Sequence, residues 1–205
     1  MKNYRSNVAF IDLLFNLLVG FVSLFIIAYM LINPVAKTGI VDPNIEIMIT
    51  MSWDDKSPHD YDIWVDGPQN TIVGFTNKES GYMTLERDDL GTESDRFYDE
   101  TRGVWVNIER NLEVVAIRGL VPGVYYVNVH FFALKQMKPG NVVTVEVTDM
   151  RPYQIVAKRD KEILANKSEH TMVSFRVTNN GKIVDVDYNA KIDIVRGNIH
   201  AGGPL

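Results

Sequence analysis

Two patterns of apolar residues divide the 205-residue chain. From Val8 to Ile32 the sequence VAFIDLLFNLLVGFVSLFIIAYMLI is apolar almost throughout. As a helix rising ~1.5 Å per residue it reaches roughly 37 Å, enough to cross a hydrocarbon core of ~30 Å with some tilt. Beyond residue 44 the period becomes two. Ile45, Ile47, Ile49, Met51 and Trp53 alternate with Glu46, Thr50 and Ser52, and Tyr61, Ile63 and Val65 alternate with Asp60, Asp62, Trp64 and Asp66. Further strand-like runs lie at 71–75, 82–86, 104–108, 112–117, 124–132, 142–147 and 153–158, with a short continuation at 162–164. The runs 171–178 and 182–188 flank Asn179-Asn180-Gly181, a strong hairpin signal, and 192–195 adds a last short strand. No helical period survives after residue 40. The pattern predicts a single N-terminal transmembrane α-helix followed by an all-β antiparallel sandwich domain. Its expected divisions are 1–7 on the cytoplasmic side, 8–32 in the membrane, 33–44 as linker or plug, 45–196 as the outer sandwich, and 197–205 as a flexible Gly-rich tail.

Charge sets the direction of insertion. Lys2 and Arg5 precede the apolar run, and no acid comes before Asp12. The positive-inside rule places the N-terminus in the cytoplasm and the sandwich outside. A cleaved signal peptide is the rival reading. Its apolar core spans only ~7–15 residues and seldom carries a charge, so a retained helix is expected.

The apolar run is interrupted on one side. Asp12, Asn16, Gly20 and Ser23 follow at spacings of four, four and three, which puts them on one helix face. An anchor alone gains nothing from an acid there, because an ionised Asp at a helix centre costs about 2.5–3.5 kcal/mol on insertion scales and less towards an end. Intramembrane acids face protein or a water-filled path and mark ion routes, and small residues such as Gly20 and Ser23 permit close helix approach. In the bland alternative, Asp12 sits among the headgroups and merely ends the span.

The run Phe10-Ile11-Asp12-Leu13-Leu14-Phe15-Asn16-Leu17-Leu18-Val19 resembles the transmembrane helix of ExbD, TolR and MotB-type proteins. The resemblance covers about the first 35 residues. It implies a B-type subunit of a proton- or sodium-driven motor in a bacterial inner membrane, with the C-terminal domain periplasmic. It also implies a pair of such helices inside a pentameric ring of a polytopic ExbB-, MotA- or TolQ-like subunit, with Asp12 alternately taking up and releasing H+ or Na+. The C-terminal part departs from that family, whose outer domains are of mixed α/β type. What the outer domain drives or grips in the cell envelope is left open. The alternative is a membrane-anchored β-sandwich that binds a ligand or acts in adhesion.

Composition narrows the remaining chemistry. The net charge of −5, with no dense Lys/Arg stripe, excludes broad nucleic-acid binding. The chain has no cysteine, so disulfides, thiolate metal sites, a cysteine nucleophile and a lipoprotein anchor are ruled out. No nucleophile elbow, P-loop or dinucleotide fingerprint is present, the four histidines are dispersed without zinc spacing, and no enzyme is expected. The acids are more suggestive. Asp54, Asp60 and Asp62 lie close to one another and to Asp55. Asp88 and Asp89 open a loop that also carries Glu93, Asp95, Asp99 and Glu100. Calcium takes six to eight oxygens, which neighbouring loops of a sandwich can supply, so Asp54, Asp60, Asp62, Asp88 and Asp89 are the candidate ligands. Solvated loop acids are the competing reading. His130 shares a strand face with Tyr126 and Asn128, which reads as a polar sheet surface. Trp64 shares a face with Asp60 and Asp62, where it either recognises a sugar or peptide or, as expected here, is covered by a neighbouring loop.

A second resemblance spans residues 45–135. Trp53-Asp54, Asp60-Tyr61-Asp62-Ile63-Trp64-Val65, Pro68, Asp88-Asp89 and Gly123-Val124-Tyr125-Tyr126-Val127-Asn128-Val129 are similar, in order, to the pattern of a poorly characterised bacterial β-sandwich family. Gln69-Asn70 stands where that family has a glycine. The resemblance implies a fold and little about activity.

Overall fold

A computed structural model describes residues 4–32, 44–93, 95–135 and 140–195. The expected tail and nearly all of the expected linker lie outside the described residues. The chain separates into two units, the first ending at Pro43 and the second beginning at Asn44.

The first unit carries α1, Tyr4–Ile32. Its stretch Val8–Tyr29 is long and apolar enough to cross a membrane, and none of it is covered by protein. Leu13, Phe15, Leu17, Phe21, Leu24 and Phe25 are all more than 60% exposed, an apolar surface of the kind that lipid or protein covers.

Among the described residues, the second unit has thirteen strands. They are β1 Ile47–Ser52, β2 Asp60–Gly67, β3 Thr71–Val73, β4 Glu79–Ser80, β5 Met83–Arg87, β6 Arg96–Asp99, β7 Val104–Asn107, β8 Leu112–Ile117, β9 Gly123–Ala133, β10 Asn141–Met150, β11 Tyr153–Ile163, β12 Glu169–Val177 and β13 Ile183–Asp187. All pairings are antiparallel, in a six-stranded sheet of order β11-β10-β1-β8-β5-β4, a five-stranded sheet β13-β12-β9-β2-β3, and the separate hairpin β6-β7. This is the helix-plus-sandwich architecture that the two periods predict.

The two large sheets close over one core. Ile47, Ile49 and Met51 of β1 meet Tyr61, Ile63 and Val65 of β2 and Tyr125, Val127, Val129 and Phe131 of β9. Tyr61 stacks on Phe131 at 4.4 Å between ring centres, and Tyr125 on Phe175 at 5.2 Å. The Tyr61 hydroxyl also ties the sheets together, accepting from the Asn141 N–H at 2.8 Å and donating to the Ile163 carbonyl at 3.2 Å.

Three expectations are corrected. Residues 153–164 do not form two pieces; β11 is continuous and pairs with β10 throughout, with one bulge at Val147/Thr148. Residues 192–195 form no strand. They lie as a strap over the outer face of the five-stranded sheet. Glu169 accepts the N–H groups of Ile194 and Val195, and Asn128 donates to the Ile192 carbonyl. The strap explains the third correction. The face of Tyr126, Asn128 and His130 is not an open polar surface, for Asn128 is fully buried and His130 is 8% exposed. Trp64 is covered as well, packed with Ile194 and Val195 and edge-on to Phe75.

Candidate functional site

Two places bring functional side chains together, one in each unit. On α1, the Asp12 face offers little internal chemistry. The Ser23 hydroxyl donates back to the Val19 carbonyl at 2.8 Å, and a Cβ built on Gly20 meets nothing within 4 Å. The stripe is therefore open for another helix to approach closely.

In the sandwich, the incomplete edge of β2 creates the second site. Strand β3 pairs only with Val65, Asp66 and Gly67, so the preceding stretch of β2 has β9 on one side and no strand on the other. A side chain fills the gap. Glu113 projects from β8 in the opposite sheet, and its carboxylate accepts the Ile63 N–H at 2.7 Å and the Asp89 N–H at 3.2 Å. It is 1% exposed. Asp62 of β2 and Asp88, which follows β5, bring their carboxylates to the same place. One oxygen from each of Asp62, Asp88 and Glu113 lies within 4.8 Å of the others.

Three like charges at this separation repel, and burial strengthens the repulsion. Burial, then Asp62, pushes the Glu113 carboxyl well above the ordinary range. Burial likewise raises Asp62, against the opposing pull of His130, whose Nδ1 lies 3.5 Å from Asp62 Oδ2. Asp60 is raised from 3.8 to about 6, by burial first and by Asp62 second, with Lys135 opposing. Asp60 Oδ1 and Asp88 Oδ1 are buried and accept no hydrogen bond, although Lys78 pairs with the other oxygen of Asp88 at 2.8 Å. Buried carboxylate oxygens without donors are what a hard divalent cation seeks, so the residues present fit calcium.

The structure sorts the sequence candidates. Asp62 and Asp88 enter the cluster, and Asp60 lies close enough to feel the Asp62 charge. Asp54 does not enter it; its carboxylate accepts the Lys56 N–H and shapes a turn. Asp89 is occupied by Arg87, by the Leu112 N–H and by the Gly91 N–H. Glu113 is the member that alternation alone does not nominate. Its signal is positional, since it shares a strand face with the core residues Val115 and Ile117.

No family model matches the chain, and no curated protein does. Two solved structures are similar to it. One is the crystal structure of SAV2460, a protein of unknown function, at TM-score 0.46 and 16% identity, covering 70% of this chain and 86% of that one. The other is a homologue of the telluride resistance protein TerD from Streptomyces coelicolor, at TM-score 0.43 and 14% identity, covering 71% and 88%.

The raised acids make stability depend on pH. With Asp60 at about 6 in the fold and near 3.8 when unfolded, the folded chain binds more protons between those values. The contribution is full below the lower value and is lost as pH rises through the upper one. Asp62, Asp66 and Glu113 act in the same direction, while His170, lowered by burial, acts in the opposite one. In chelator, the melting temperature is expected to fall as pH climbs through this window, and Asp60→Asn is expected to flatten that fall. Parallel curves for the two proteins would exclude Asp60 as a source of the dependence.

Proposed function

We propose that this chain is the single-pass subunit of a proton- or sodium-driven motor in a bacterial inner membrane, with its N-terminus in the cytoplasm. Asp12 carries the reading: it is the one acid within the apolar helix α1, and it heads a stripe of Asn16, Gly20 and Ser23. A pair of such helices inside a pentameric ring of polytopic ExbB-, MotA- or TolQ-like subunits gives each stripe a polar counterpart. Uptake of a cation from outside neutralises Asp12 and lets the face slide past apolar wall. Release to the cytoplasm restores the charge and binds the face to the next polar group. Each charge crossing supplies roughly 2.3 kcal/mol per 100 mV, so several ions drive a mechanical step. The test is assembly. The tagged chain, co-expressed with the polytopic membrane protein encoded beside it and extracted in mild detergent, is expected to run as one complex containing a pair of its own copies. Isolation as a lone monomer from that background would overturn the proposal.

A second reading concerns the outer unit and is favoured by the Asp62, Asp88 and Glu113 geometry. The sandwich is a binding module for a hard divalent cation such as calcium. It stands whether the helix is a motor element or only an anchor. Calcium titration tests it.

A further inference from the structure

A separate hollow of about 330 Å³ is lined by Lys56, Thr92, Asp95, Arg96, Asn107 and Glu109, none of them a member of the three-acid cluster. Asp95 is 6% exposed, and neither of its carboxylate oxygens has a hydrogen-bond partner. A buried acceptor left unused is costly, and a ligand bearing donors removes that cost. Burial, then Asp89, pushes this carboxyl above its ordinary range. A metal ion is poorly matched here. Among the described residues, only Asp62, Asp88 and Glu113 converge at ligand distances, and Lys56 and Arg96 add positive charge to this hollow.

The hollow continues onto an aromatic surface. In the β6–β7 hairpin Arg96 pairs with Asn107 and Tyr98 with Trp105. Opposed residues share a face, as do residues two apart, so all four side chains stand on one face, the two pairs about 7 Å from each other along the strands. Tyr98 is 49% exposed and Trp105 58%. Their rings meet edge to face at 5.4 Å, and the Arg96 guanidinium lies 4.6 Å from the Trp105 centroid, which steadies the indole.

A pyranose with equatorial hydroxyls has apolar C–H faces and a rim of groups that both donate and accept. It matches amphipathic rings set beside mixed donors and acceptors. We propose that the hairpin face and the hollow form one oligosaccharide-binding site: one sugar ring rests on Trp105 with Tyr98 at its side, and the next donates to Asp95 and accepts from Lys56, Arg96 and Asn107. This goes beyond both the motor and the cation readings and depends on neither.

Tryptophan emission supplies the test. Trp53 and Trp64 are 5% and 2% exposed, so quenching by acrylamide reports chiefly on Trp105. The full chain in amphipol is titrated with cellotetraose and with chitotetraose, both β-linked chains of equatorial pyranoses. At least one of them is expected to shield Trp105, and Asp95→Ala or Lys56→Ala is expected to weaken the response about tenfold, equivalent to ~1.4 kcal/mol. Absence of shielding by both sugars overturns the proposal. So does an unchanged midpoint in both variants.

Discussion

Calcium is expected to raise the melting temperature of the chelator-treated chain by roughly 5–10 °C when free ion is about a hundredfold above its dissociation constant. The gain follows from ~2.7 kcal/mol of linkage at that ratio, in a domain where each kcal/mol moves the midpoint by ~2–4 °C. The direction is set by the acids themselves. Asp62, Asp88 and Glu113 hold oxygens within 4.8 Å of one another, with Asp62 and Glu113 almost fully buried. Without a cation, their repulsion is eased by protons, by the N–H groups that Glu113 accepts, and by the neighbouring side chains His130 and Lys78. Asp62→Asn separates a ligand from a merely structural residue. It removes one ligand and also one repelling charge, so the metal-free variant should melt no lower than the parent while losing its response to calcium. A residue needed only for packing would lower the midpoint with and without the ion. An Asp62→Asn protein that responds to calcium as the parent does would retire the cation site.

The second large effect is at Asp12. In proteoliposomes containing the assembled complex, Asp12→Asn is expected to reduce cation flux to the background of empty vesicles, read by a pH-sensitive or sodium-sensitive dye. Asparagine is nearly the same shape and remains neutral, so it imitates the loaded carboxyl and cannot release its cation. Insertion should not suffer, because a neutral amide is less costly to place in hydrocarbon than an ionised carboxylate. Recovery of the complex at parental yield is therefore part of the expectation. Undiminished flux in such a complex would leave α1 as an anchor and nothing more.

Much of this was legible in the residues, for physical reasons. A run of leucines and phenylalanines this long suits a helix, so α1 follows from length and composition, and spacing alone sets Asp12, Asn16, Gly20 and Ser23 on one face. Alternation finds β1, β2, β8 and β9 because one side of each faces the core, and Asn179-Asn180-Gly181 marks the β12–β13 turn, with Gly181 at φ 75°. What escaped was either too short to show a period or set by contacts distant in sequence. The two residues of β4 and the four of β6 are too short to show a period. The polar face of β9 looked open because nothing in its own sequence announces the strap at 192–195. The acid cluster was half visible. Asp62 and Asp88 stand in acid-rich stretches, whereas Glu113 sits in an apolar strand and was legible only as a charge in a core-facing position.

That glutamate has a second consequence. Sheets end in rows of unpaired amides, and chains protect them with charge, short strands or cover. Here the stretch of β2 without a second partner strand is buried, and one carboxylate reaches across from the other sheet to accept the Ile63 amide. An apolar residue at 113 is expected to leave the Ile63 amide buried without an acceptor, at a cost of about 1–3 kcal/mol, so the same group that stands in the acid cluster also completes the hydrogen bonding of β2.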